Sequence, residues 1–117
     1  MIFIYHNPRC RKSREALELI EKSGLSYQVV DYQKNPLSME ALLDLIEKLG
    51  VEPIDLIRKN EALWKDTYRE AKLAPKDLVR LIQENPKLLE RPILAFDNKA
   101  VIGRPTERVE EFLNAIS

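Results

Sequence analysis

Cysteine occurs once in the 117 residues, at Cys10, and histidine once, at His6. A lone cysteine excludes an internal disulfide and a four-cysteine zinc site, and one histidine beside one cysteine does not make a metal site. Long apolar runs are missing: none could span a bilayer, and the first residues carry no signal-peptide pattern. An excess of one charge sign is missing too, because Lys plus Arg and Asp plus Glu each number 19. Net charge therefore points neither to nucleic acid nor to a membrane, and only local charge informs. Internal repeats, low-complexity tracts and linkers are absent. What remains is one domain, residues 1–117, large enough to bury a core without staples. A reducing, cytoplasmic setting is expected, where a free thiol survives.

What is present centres on Cys10, in His6-Asn7-Pro8-Arg9-Cys10-Arg11-Lys12-Ser13-Arg14. The apolar run Ile2-Phe3-Ile4-Tyr5 before it reads as a short buried strand. The stretch Glu15-Ala16-Leu17-Glu18-Leu19-Ile20-Glu21-Lys22 after it reads as a helix ending at Gly24. The thiol thus lies where a strand hands over to a helix, near unpaired backbone N–H groups that favour negative charge. A thiol there ionises more readily than a free one. Arg9, Arg11, Lys12 and Arg14 have the wrong sign for a helix start. That mismatch suggests an anion among them: the thiolate, a bound oxyanion, or both. Ser13, one turn along, has a hydroxyl that can reach either. The plainer reading is a small buried cysteine beside a solvated basic helix start, with Glu15 and Glu18 pairing the cations. Strand, helix start and cation cluster together favour the reactive thiol. His6 can polarise that thiol or shuttle a proton, or its ring can pack or bond to the loop backbone; the sequence leaves both open.

Further along, Tyr27-Gln28-Val29-Val30-Asp31-Tyr32 reads as a second strand, parallel to the first in a βαβ unit. Ser38 is placed to cap a helix running to Gly50. Pro53 starts a short helix to Arg58, another covers Glu61 to Glu70, and a third runs from Pro75 to about Glu84. Residues 38–89 form a mostly helical block without a strand, in which Trp64 is a packing residue. Ile93-Leu94-Ala95-Phe96 and Ala100-Val101-Ile102-Gly103, across a three-residue turn at Asp97-Asn98-Lys99, read as an antiparallel hairpin. Pro105 opens a last helix with Val109, Phe112, Leu113 and Ile116 on one side. The class is α/β, in the order β-α-β, helical block, β-β-α.

Three arginines stand apart from the surface charges. Arg58 closes an apolar short helix, Arg91 precedes Pro92, and Arg104 precedes Pro105. The guanidinium fork suits a tetrahedral oxyanion and keeps its proton, and a following proline restricts the backbone that aims it. The two Arg-Pro pairs bracket the hairpin, so their side chains are expected to leave from opposite ends of one rigid element. Taken singly, each arginine is also compatible with a structural or solvated role.

His6-Asn7-Pro8-x-Cys10-x-x-Ser13-Arg14, then Leu56-Ile57-Arg58-Lys59-Asn60, Glu90-Arg91-Pro92-Ile93 and Gly103-Arg104-Pro105 together resemble the glutaredoxin-coupled arsenate reductase family, over essentially the whole chain. The resemblance implies a thioredoxin-like fold, a small mixed sheet with a helical insertion at about residues 38–89. It implies a cis peptide before Pro92, Cys10 as nucleophile, and Arg58, Arg91 and Arg104 as an oxyanion clamp. His6, Ser13 and Arg14 would support the thiolate and its anion. It also implies arsenate or a similar oxyanion as substrate, glutathione as co-substrate, glutaredoxin as the resolving partner, and no bound cofactor or metal. Two alternatives share the residues: a glutathione-dependent thiol reductase with another substrate, and a redox-responsive transcriptional regulator of the Spx type. The regulator's switch would use a Cys-x-x-Cys pair, and this chain has Ser13 at the second position.

Overall fold

The first strand does two jobs with alternating residues. In β1 (Ile2–Tyr5) Ile2 and Ile4 are buried while Phe3 is partly exposed, the period-two pattern of a half-covered strand. The computed structural model describes residues 1–117 and resolves into two units, residues 1–35 with 91–117, and residues 36–90.

In the first unit, β1 is followed by helix α1 (Arg11–Ser23), which starts four residues before the expected Glu15 and stops at Gly24, left-handed at φ 76°. Strand β2 (Tyr27–Val30) pairs parallel to β1 as expected, but ends before Asp31 and Tyr32. Those two residues leave the sheet for a turn, closed by Asn35 N–H on the Asp31 carbonyl and by Lys34 N–H on the Asp31 carboxylate. Strands β3 (Ile93–Phe96) and β4 (Lys99–Ile102) form the hairpin. Its loop is two residues rather than three, because Lys99 pairs with Phe96, and Asp97 takes the positive φ of 54° that so tight a loop demands. The sheet order is β2-β1-β3-β4, with β3 antiparallel to β1. Helix α4 (Glu107–Ile116) begins two residues after Pro105, whose carbonyl accepts the Arg108 N–H. This is the mixed sheet of a thioredoxin-like α/β fold.

Ile2, Ile4, Ala16, Ile20, Leu94, Val109 and Leu113 make one core cluster, so α1 and α4 share one side of the sheet. Each fully buried aliphatic side chain contributes about 1.5–3 kcal/mol of transfer free energy. The cluster is therefore what holds the starts of both helices against the strand ends.

The second unit carries helix α2 (Met39–Leu49), capped by Ser38, whose hydroxyl accepts the Ala41 N–H. A 3-10 turn, Pro53–Leu56, follows, then a single π-helical turn, Trp64–Tyr68, in place of the expected Glu61–Glu70 helix, then α3 (Pro75–Glu84). Another 3-10 turn, Pro86–Leu88, follows at once, and Ile57 and Leu89 form an isolated antiparallel bridge. Trp64 is buried, as a packing residue should be.

Candidate active site

Pairing register, more than any motif, assembles the site. Tyr5 at the end of β1 lies opposite Ile93 at the start of β3, and Ile93 lies opposite Ile102 at the end of β4. Arg91, two residues before Ile93, and Arg104, two after Ile102, therefore emerge at the same end of the hairpin, beside the loop that leaves β1. The expectation that they leave from opposite ends is corrected by this register: an antiparallel pair returns the chain to where it began. Gly103 N–H donates to the Pro92 carbonyl at 2.8 Å and locks that end. A Cβ on Gly103 would stand 2.7 Å from Val109 Cγ2 and 3.1 Å from Pro92 Cγ, so the position admits no side chain without displacement. The peptide bonds before Pro92 and Pro105 are both cis.

Cys10 is the N-cap of α1, with extended backbone at φ −94° and ψ 122°. Its N–H donates to the Asn7 carbonyl and its carbonyl accepts from Arg14, so the loop folds back under the sulfur. The residue is 8% exposed, buried yet not sealed. Arg104 Nη2 lies 3.7 Å from Cys10 Sγ, a contact between residues 94 positions apart. The thiol pKa is lowered. Burial alone would raise it, but the Ser13 backbone N–H, the Arg91 guanidinium, the Lys12 N–H and the Arg104 guanidinium together outweigh burial. The cap closes no hydrogen bond of ordinary length; the N–H groups act on the sulfur as oriented dipoles.

Of the basic residues adjacent in sequence, Arg11 and Lys12 follow the plainer reading and pair with Glu15. Arg11 Nε pairs with Glu15 Oε1 at 3.2 Å and Lys12 Nζ with Glu15 Oε2 at 3.7 Å. Arg14 donates to the Pro8 carbonyl at 2.9 Å and so ties the loop to the helix. Arg9 is exposed. The cations that lower the thiol pKa are the distant Arg91 and Arg104.

Ser13 is fully buried, but its hydroxyl is taken. It sits 2.6 Å from His6 Nδ1, the ring tautomer deciding which group donates, and it accepts the Asn7 N–H at 3.0 Å. The hydroxyl thus braces the loop, and the backbone N–H of Ser13 is what serves the sulfur. The His6 ring bonds to the buried Ser13 hydroxyl. Its pKa is lowered, chiefly by burial and further by Arg14, against opposing effects of Asp31 and Ser13. Arg91 is buried. Arg58, in the second unit, follows the bridge residue Ile57, donates its backbone N–H to the Leu88 carbonyl, and pairs through Nη1 with Glu61 Oε2 at 3.2 Å.

Asn7 is a site-shaping residue that sequence reasoning passed over: its carbonyl, side chain and N–H all anchor the loop. The Asn-Pro dipeptide, a turn signal, was the available hint. No group of three or more His, Cys, Asp or Glu side chains is gathered in a way that could hold a metal ion, and no helix is long and apolar enough to cross a membrane. The arrangement can hold a thiolate and present a guanidinium fork to an oxyanion reacting with it.

A family model described as the ArsC family matches residues 5–112. The chain belongs to the ArsC family. Among relatives, this ArsC chain is 40% identical to an arsenate reductase of Neisseria meningitidis over 96% of its own length and 97% of the relative's. It is 42% identical to the uncharacterized protein YfgD of Escherichia coli K12, over 94% of each chain. The solved arsenate reductase from Vibrio cholerae superposes with a TM-score of 0.89 at 40% identity, covering 94% of this chain and 95% of that one. The thioredoxin-like fold read from the motifs is thus the fold of its solved relatives.

Proposed function

We propose that the protein is a glutathione- and glutaredoxin-dependent arsenate reductase, acting in the cytoplasm, with Cys10 as its nucleophile. The observation that carries this reading is the 3.7 Å approach of the Arg104 guanidinium to the Cys10 sulfur, delivered from the far end of the chain. Relatives of 35–40% identity that bear the name arsenate reductase support it.

In this reading the Cys10 thiolate attacks arsenic(V) and displaces one oxygen as water, forming a sulfur–arsenic bond. Arg91 and Arg104 neutralise the arsenate oxygens as charge builds on them. Glutathione's sulfur then bonds to arsenic, displacing a second oxygen as water. The two sulfurs join as a disulfide, arsenic takes the electron pair, and one water adds back to arsenic as arsenite leaves. Glutaredoxin's thiolate attacks the glutathione sulfur, which frees the Cys10 thiolate. With one cysteine in the chain, the resolving thiol must come from another molecule. His6, Ser13 and Arg14 keep the loop in shape for these steps, and Pro92 flanks the thiol.

A coupled assay tests the reading: purified protein with glutathione, glutaredoxin, glutathione reductase and NADPH. The expected result is NADPH oxidation that depends on arsenate and disappears in Cys10→Ser. Oxidation indifferent to arsenate would overturn it.

A further inference from the structure

Two long-range side-chain contacts join the start of α1 to the segment before α4. One is Arg104 to Cys10; the other is the Thr106 hydroxyl donating to Glu15 Oε2 at 3.1 Å, between residues 91 positions apart. Thr106 is the N-cap of α4, and its carbonyl accepts the Val109 N–H, yet its side chain caps nothing there: its backbone is helical and no N–H of α4 bonds to its hydroxyl. A threonine at a helix start ordinarily serves its own helix. Here its hydroxyl reaches across to α1 instead. Glu15 is the receiving group, and the same carboxylate gathers Arg11 and Lys12. It is thereby held between two cations and a hydroxyl, and its pKa is lowered, first by Thr106.

Arg104 is two residues from Thr106, and Cys10 is five residues from Glu15. Four groups therefore close a ring: sulfur, guanidinium, hydroxyl, carboxylate. Arg104 Nε is buried and makes no hydrogen bond, so nothing on its own side chain fixes the fork beyond its approach to the sulfur. Its placement is left to the backbone on either side, and Gly103 and Thr106 are the anchors there.

We propose that Glu15 is a positioning residue of the oxyanion pocket. Through the Thr106 hydroxyl it sets where Arg104 stands against the Cys10 sulfur, and it keeps Arg11 and Lys12 turned to itself instead of over the thiol. The proposal rests on the reading of Cys10 as the reacting thiol and Arg104 as its oxyanion partner.

The test is Thr106→Val, which removes the hydroxyl at constant size and charge, with Glu15→Ala and the conservative Thr106→Ser. Two quantities are measured: the pH midpoint of iodoacetamide alkylation, which needs no arsenate, and the KM for arsenate. In Thr106→Val, the alkylation midpoint moves up and the KM rises about three- to tenfold, part of the worth of a hydrogen bond to a charged group; in Glu15→Ala the KM rises as well, while the midpoint moves up less than in Thr106→Val, because the freed Arg11 and Lys12 cations favour the thiolate. Thr106→Ser keeps the parental values. In an Arg104→Ala background, Thr106→Val adds less than about twofold, because its effect runs through the missing guanidinium. Should Glu15→Ala unfold, Thr106→Val carries the test alone. Parental alkylation and KM in folded Thr106→Val, damage in Thr106→Ser equal to that in Thr106→Val, or full effects persisting without Arg104 would each overturn the proposal. A parent that alkylates at low pH but does not reduce arsenate sinks the substrate reading instead, and the alkylation arm still decides the role of Glu15.

Discussion

Ile93 lies opposite Ile102 in the β3–β4 hairpin, and that single pairing sets Arg91 and Arg104 side by side at the end of the sheet where Cys10 begins its helix. The pair of arginines belongs to the hairpin's register as much as to its sequence. A one-residue slip would turn the strand's inner residues outward and carry one guanidinium away from the sulfur.

Removing that guanidinium should be felt directly. Arg104→Ala is expected to raise the pH midpoint of Cys10 alkylation and to lower kcat/KM for arsenate by about 100-fold or more, the usual cost of losing one oxyanion donor. Steady-state kinetics beside an alkylation pH profile measures both. An unshifted profile would return Arg104 to a structural role.

Gly103→Ala should disturb the same arginine from behind. The new methyl meets Val109 Cγ2 and Pro92 Cγ, both stiff groups, within 2.7 and 3.1 Å. The expected cost is about 1–3 kcal/mol of stability, the range for overpacking, with Arg104 moved off the sulfur. Urea melts read the first effect and alkylation the second. Adding Val109→Ala should relieve part of both.

Ser13→Ala would leave His6 Nδ1 and the Asn7 N–H facing a methyl in a buried loop. A loss of about 1–3 kcal/mol is expected for groups stranded in this way. Chemical denaturation checks it; a change below half a kcal/mol would mean that water reaches the loop.

His6 makes the fold sensitive to acid. Its pKa is lowered in the folded chain, so the folded state holds fewer protons than the unfolded one in this range. The stability it supports is complete above the ordinary histidine pKa of about 6.5 and is lost as pH falls through the lower folded value. Denaturation midpoints of the parent should drop below about pH 6.5, and His6→Asn should flatten that limb.

Cys10 works in the same direction at higher pH. Its lowered pKa means that the thiolate's contribution is present above the free-thiol value of about 8.5 and fades as pH falls through the folded one. Cys10→Ser should remove this slope, which pH-dependent denaturation would reveal; identical slopes in parent and variant would argue that the thiol is unperturbed.

The order of strands and helices was written plainly in the chain. Ile2 and Ile4 alternate with Phe3 and Tyr5, Gly24 and Gly50 stop helices, Ser38 caps one, and Cys10 stands between a strand and a helix start. These features depend on neighbours within a few residues, which is the range that periodicity and capping report. The same short range misled where charge was concerned. Arg11 and Lys12 are near Cys10 in sequence, but a helical side chain reaches three or four residues along, and there they find Glu15. Ser13 likewise turns its hydroxyl to His6.

What the amino-acid order determined alone is the place of the sulfur at the mouth of a helix. Which cations face it was decided only in three dimensions. Arg91 and Arg104 meet Cys10 because β3 runs back along β1 and β4 runs back along β3. That encounter is a property of strand register across the whole sheet, and no local pattern of residues encodes it.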